Sequence, residues 1–256
     1  MFFLPKRPLI TPPKVAAGKG YSFLIKDDTL YSSGSFTKTN TFTKVASGFR
    51  SVTSHYGITL DNTLIDLFTS KEIAKGVSGV FPVKNHLFYI INGVAYKDHN
   101  PLPVKNVIKV VYKPPYHIFL KENGELVTDD PELELPKKAQ DINAEPFITT
   151  SYWGFASNSL RATSVASSNT TLCLYNSAHL HTRGSSVQGQ LGLPKGHYDS
   201  FHTHRIHGIR SIGLSDSHTI LSTSSGFFTS GSNRKGELGL GDYNTRFAFT
   251  KVSGLD

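Results

Sequence analysis

Short apolar runs alternate with polar turns rich in glycine along most of the chain, while Ala-, Leu- and Glu-rich stretches at helical spacing are scarce. One such unit reads Tyr116-His117-Ile118-Phe119-Leu120, then the turn Lys121-Glu122-Asn123-Gly124, then Glu125-Leu126-Val127. Asn92-Gly93 and Asn123-Gly124 are hairpin signals, because both residue types readily take positive φ. The pattern predicts an all-β chain of meanders joined by tight turns.

Comparison of the sequence with itself shows that the meanders are copies of one another. Residues 165–193 align without a gap on residues 212–240, at a constant offset of 47 residues. Gly184 falls on Gly231, Gly189 on Gly236, and Leu191-Gly192-Leu193 on Leu238-Gly239-Leu240. Residues 15–34 keep the same order and place Gly34 where Gly184 stands. Phe42-Thr43-Lys44-Val45 matches Phe249-Thr250-Lys251-Val252. Further starts are read at Val52, Val80, Val111 and Phe147, which with Val15, Val165 and Ile212 gives seven. A single meander cannot bury its faces alone, so the copies must pack around an axis. The glycines and leucines of the repeat are accounted for by turns and buried contacts.

Gly231-Ser232-Asn233-Arg234-Lys235-Gly236-Glu237-Leu238-Gly239-Leu240-Gly241-Asp242 resembles the signature of the RCC1 repeat, whose usual form is G-x-N-x-x-G-Q-L-G-L-G-D. Glu237 stands where Gln is common, and the copy from Gly184 to Leu193 has Ser186 in place of Asn. The resemblance is specific over the last third of the chain, and the signature is absent between about residues 35 and 160. It implies an RCC1-like β-propeller of seven short blades over residues 15–256, or of six if the Phe147 unit is not a repeat. The N- and C-terminal segments would close it, Phe249–Gly254 pairing beside the first unit. Residues 1–14, with Lys6, Arg7 and Lys14 among four prolines, form a basic lead-in or an extended partner-binding arm.

Composition narrows the function. Hydrophobic residues make up 38% of the 256 and charged residues 18%, which suits a packed core. The single cysteine, Cys173, rules out an intrachain disulfide and a cysteine-based zinc site. No apolar run is long enough to span a membrane. Met1-Phe2-Phe3-Leu4 precedes Lys6 and Arg7, the reverse of a signal peptide's charge order. The expectation is a soluble intracellular protein of nucleus or cytoplasm. The net charge of +8 favours acidic or phosphate-bearing partners.

Candidate chemistry is sparse. Seven of eleven histidines lie between His179 and His218, and His202/His204 and His179/His181 each share one strand face. Only Asp199 and Asp216 stand near them, so no metal site is expected. The chain has no G-x-S-x-G elbow before a helix, no P-loop and no Rossmann fingerprint, so neither a conventional enzyme nor a cofactor is expected. The functional lead is the set of basic and aromatic residues in the turns of the last two units. These are Arg183, Lys195, His197, Tyr198, Arg205, Arg210, Arg234, Lys235, Tyr243 and Arg246. Loops on one propeller face are natural binding elements. The reading is therefore a non-catalytic propeller that docks on a protein or ribonucleoprotein partner; in a large assembly such as a ribosome or chromatin its basic loops would meet phosphates and acidic patches. The resemblance also implies an alternative, guanine-nucleotide exchange on a Ran-like small GTPase, which works by differential affinity and needs no catalytic side chain.

Overall fold

A computed structural model describes residues 12–83, 86–113, 116–130, 132, 164–168 and 170–255. The described residues form six antiparallel sheets, each a meander whose strands lie in chain order. Sheet 1 holds β1 (Val15–Ala17), β2 (Tyr21–Lys26), β3 (Thr29–Gly34) and β4 (Thr39–Ser47). Sheet 2 holds β5 (Phe49–Val52), β6 (Tyr56–Thr59), β7 (Leu64–Asp66) and β8 (Glu72–Ala74). Sheet 3 holds β9 (Val77–Val83), β10 (His86–Ile91), β11 (Val94–Lys97) and β12 (Asn100–Pro101). Sheet 4 has three described strands, β13 (Val107–Lys113), β14 (Tyr116–Lys121) and β15 (Leu126–Thr128). Sheet 5 holds β16 (Ser164–Ser167), β17 (Thr171–Tyr175), β18 (Leu180–Ser185) and β19 (His197–His204). Sheet 6 holds β20 (Ile209–Leu214), β21 (His218–Thr223), β22 (Gly226–Gly231) and β23 (Arg246–Lys251).

The all-β meander is as the sequence predicts, but six blades are present among the described residues and not seven. The seventh expected start, at Phe147, lies outside the described residues, as does the lead-in up to Thr11. Four sheets also begin three or four residues before their predicted starts at Val52, Val80, Val111 and Ile212. The cause is a β-bulge near the start of each first strand, where Arg50, Ser78, Ile108 and Arg210 are the extra residues. A bulge breaks the two-residue alternation, so the apolar pattern becomes readable only downstream of it.

Turn chemistry follows the same physics. Asn92 and Gly93 both take positive φ (49° and 75°), the paired left-handed turn that the sequence predicts. At Asn123-Gly124 only Gly124 does so, and its N–H donates to Lys121 O across a longer loop. Asp27-Asp28 and Asp98-His99 form further turns with both residues at positive φ.

Each sheet buries its faces against its neighbours, in the spatial succession 5, 6, 1, 2, 3, 4. Cys173, Leu180, Ile209 and Leu221 join sheets 5 and 6. Phe23, Ile25, Phe49 and Val52 join sheets 1 and 2. Ile58, Leu64, Val77 and Tyr89 join sheets 2 and 3, and Phe88, Ile90, Val110 and Phe119 join sheets 3 and 4. The last and first sheets meet through Val15, Ala17, Leu24 and Ile220, with β1 packed on β20 and β21. Ser22 Oγ and His218 Nε2 lie 2.9 Å apart across this seam, and Lys14 N donates to Ser211 Oγ at 3.2 Å.

The signature loops act as clasps between blades. Leu191 and Leu238 are fully buried, and their carbonyls accept from Thr182 and Thr229 of their own sheets. A Cβ on Gly192 would stand 2.4 Å from the Phe249 ring, and one on Gly239 2.3 Å from the Phe42 ring. The loop of sheet 5 thus sits on the outer strand of sheet 6, and the loop of sheet 6 on the outer strand of sheet 1. This is why Phe42–Val45 echoes Phe249–Val252. It also corrects the expected closure: β23 pairs with β22 inside its own sheet and not beside the first unit. The Leu240 bridge to Thr41 and the Gly241 N–H donated to Asn40 O (2.8 Å) make the contact instead.

Two stability predictions result. Burial lowers the pKa of His218 from the usual 6.5 to about 4, so the unfolded chain takes up a proton first on acidification. The stability this neutral imidazole confers is whole above pH 6.5 and is lost as pH falls toward 4, by about 3 kcal/mol. Urea midpoints measured from pH 7 to 4 should fall more steeply for the native chain than for His218→Gln. Equal slopes would assign the acid loss to other groups. Buried Asn233 accepts from Leu238 N and donates to Asp242 O at 2.9 and 2.8 Å. Asn233→Ala leaves the buried Leu238 N–H unpaired and should cost about 2 kcal/mol in urea unfolding, against near zero for a surface substitution such as Ser253→Ala.

Candidate interaction surface

The ten basic and aromatic residues singled out in the sequence fall into three groups. Arg183, His197 and Tyr198 line one groove of about 480 Å³ on sheet 5, together with Thr170, Thr171 and Ser185. Its geometry comes from the long β19 strand folding back after the GQLGL loop. Gly184 pairs with Tyr198 and Ser185 with His197, but the register breaks between Thr182 and Gly184. Arg183 sits at that irregularity, which re-aims its side chain. Its guanidinium lies 5.4 Å from the centre of the Phe201 ring, a cation–π support that holds the charge in place. Tyr198 O–H donates to Pro194 O at 3.1 Å, and its ring meets His202 edge-on at 4.7 Å. His197 Nε2 stands 3.2 Å from Asp199 Oδ1 on the open side.

The second group surrounds the clasp of sheet 6. Arg234 and Lys235 are exposed at its tip, and Tyr243 is 59% exposed just beyond it. Arg246 braces the loop: it donates to Asp242 Oδ2 at 2.5 Å and to Asn244 O at 2.8 Å. The Asn244 N–H and then Arg246 hold the Asp242 carboxyl below its usual range. The third group is scattered, with Lys195 exposed in the sheet 5 loop, Arg205 between β19 and β20, and Arg210 exposed on the β20 bulge.

The histidines do not converge. His202 and His204 share one face of sheet 5 with Thr182, to whose hydroxyl His204 Nε2 is bonded at 2.9 Å. His181 pairs with Thr203 on the opposite face, at 2.9 Å. Burial, then the neighbouring His202, lowers the His204 pKa. Among the described residues no group of three or more His, Cys, Asp or Glu is arranged to hold a metal ion, and no helix is long and apolar enough to cross a membrane.

Sequence reasoning missed a second cleft, of about 560 Å³, where sheets 2 and 3 meet. His55, Tyr56, Asp66, His86, Asp98 and His99 are among its lining. These residues lie in blades without the glycine signature and far apart in sequence, so only the folded chain brings them together.

No protein-family model matches the sequence, and no curated protein does either. Solved structures are similar at low identity. Human WBSCR16 matches at 16% identity over 94% of this chain and 66% of its own, a little under two thirds, with a TM-score of 0.43. Prp20p of Saccharomyces cerevisiae, the yeast RCC1, matches at 10% identity over 94% of this chain and 76% of its own, with a TM-score of 0.47. Hsv2 of Kluyveromyces lactis matches at 9% identity over 92% and 80%, with a TM-score of 0.39. The repeated meander and the way each signature loop sits on the next sheet's outer strand make the chain an all-β propeller whose clasp loops resemble the RCC1 repeat.

Proposed function

We propose that the chain is a non-catalytic interaction propeller that docks on a protein or ribonucleoprotein assembly through the loops of sheets 5 and 6. The observation that carries this reading is the groove of sheet 5. It is lined by Arg183, His197 and Tyr198, with Arg183 braced on Phe201. A supported guanidinium beside hydroxyls and an aromatic ring is suited to carboxylates and phosphates, since Arg presents a rigid fork of donors. The exposed Arg234, Lys235 and Tyr243 on the next sheet widen the same kind of surface. The net charge of +8 would speed encounter with an acidic partner.

Affinity capture of the tagged chain from its own cells, with mass spectrometry at moderate salt, tests the reading. The expected outcome is a reproducible set of assembly proteins, indifferent to added nucleotide. Arg183→Glu with Tyr198→Ala should reduce that set about tenfold or more while thermal unfolding stays near the native value. Recovery of a small GTPase that GTP or GDP releases would replace this reading with nucleotide exchange. Unchanged capture by the double variant would move the docking surface elsewhere.

A further inference from the structure

The cleft between sheets 2 and 3 has a chemistry opposite to that of the sheet 5 groove. Its walls carry three carboxylates, Asp66, Glu72 and Asp98, against one ammonium, Lys71, on a chain whose net charge is +8. Tyr56 stands between the carboxylates of the two blades. It pairs with Asp66 across β6 and β7, and burial first, then Asp66 and Asp98, raises its pKa. The carboxylates are held in fixed places. Asp66 Oδ1 accepts from Phe68 N and Thr69 N at 2.9 and 3.0 Å. Asp98 accepts from Leu87 N at 2.8 Å and stands 2.6 Å from His86 Nδ1. These contacts outweigh burial and keep the Asp98 carboxyl below its usual range.

Aromatic surface adjoins this charge. The His55 ring lies 5.0 Å from Phe68, and Phe68 is 49% exposed although it also packs edge-on against Tyr21 and Phe36. Carboxylates beside aromatic faces, in a cavity of about 560 Å³, are the combination that recognises a guanidinium or an ammonium on a flexible stem. The volume admits a side chain with its flanking backbone.

We infer that the cleft between sheets 2 and 3 is a second docking site, which takes an arginine or lysine side chain of a partner polypeptide between Tyr56, Asp66 and Asp98 beside the His55–Phe68 rim. The inference is independent of the sheet 5 groove, because neither its residues nor its sign of charge are shared.

The test is a ¹H–¹⁵N NMR titration of the full chain with acetyl-Gly-Arg-Gly-Arg-Gly-amide, its lysine counterpart, and the glutamate counterpart as control. The basic peptides should shift the amides of Tyr56, Asp66, Phe68 and Asp98, and the glutamate peptide should not. Asp66→Asn and Asp98→Asn each keep an acceptor for the backbone N–H groups, so the loops stay folded. Together they should weaken arginine-peptide binding about tenfold, the loss expected of a charge-assisted hydrogen bond. Shifts scattered over the whole surface, shifts driven by the glutamate peptide, or binding unaffected by the double variant would each overturn the inference.

Discussion

Burial of each sheet against the next is the constraint on which everything else in this propeller depends. A four-stranded meander of short strands has two faces and two edges, and it hides neither face alone. The seam between sheets 6 and 1 is the place where residues far apart in the chain must meet. There Val15 and Leu24 pack on Ile220, and Ser22 reaches His218 across 196 positions of sequence. Burying a histidine at that junction requires it to stay neutral and bonded on both ring nitrogens, to Ser22 and to Ser215 at 2.9 and 3.0 Å. The closing contact therefore carries a specificity that a purely apolar seam would lack.

The clasp loops reinforce the same junctions from outside. Each projects from one sheet, buries a leucine beneath itself and lays a glycine on a phenylalanine of the following sheet. Two neighbouring seams use this device, 5 to 6 and 6 to 1, which is also where the repeat is strongest in the sequence. Glu237 is an instructive departure. In the sheet 5 loop the matching Gln190 donates from Nε2 to Asp216 O of the next sheet, at 3.0 Å. A carboxylate cannot donate; Glu237 accepts from Lys235 N at 2.6 Å, the counterpart of the bond that Gln190 Oε1 accepts from Gln188 N at 2.9 Å.

How far the sequence could be read follows from these contacts. The meanders, the clasp glycines and the Phe42/Phe249 echo were visible because backbone geometry restricts which residues can serve there. The blade starts at Val52, Val80, Val111 and Ile212 were displaced because bulges at Arg50, Ser78, Ile108 and Arg210 interrupt the alternation that marks a strand. Closure was misplaced for a different reason. A four-residue echo says that two segments are equivalent, but not whether each is paired in its own sheet or in its neighbour's. Of the basic and aromatic residues, Arg183, His197 and Tyr198 line one groove, because β19 folds back on β18. Arg246 stands out in sequence as a contact residue and proves to be a brace for Asp242. The acidic cleft had no local signature at all, since its walls come from two blades.

The contrast between the basic and acidic surfaces has a structural origin in how the third strand of each sheet ends. In sheets 1, 5 and 6 that strand has a glycine at positive φ at or next to its end, Gly34, Gly184 or Gly231, and in sheets 5 and 6 a long clasp loop with exposed Arg or Lys at or near its tip follows. In sheets 2, 3 and 4 the corresponding end carries an aspartate instead. Asp66 caps the N–H groups of Phe68 and Thr69, Asp98 ties down His86 and Leu87, and Asp129 holds the backbone and ring of His117. A side-chain acceptor there satisfies the turn locally, so no long loop is needed to order it. The cleft carboxylates Asp66 and Asp98 are therefore turn residues of short blades, as Arg234, Lys235 and Lys195 are loop residues of the clasp blades. Trimming the loop and placing a carboxylate at the strand end are thus one change of turn chemistry.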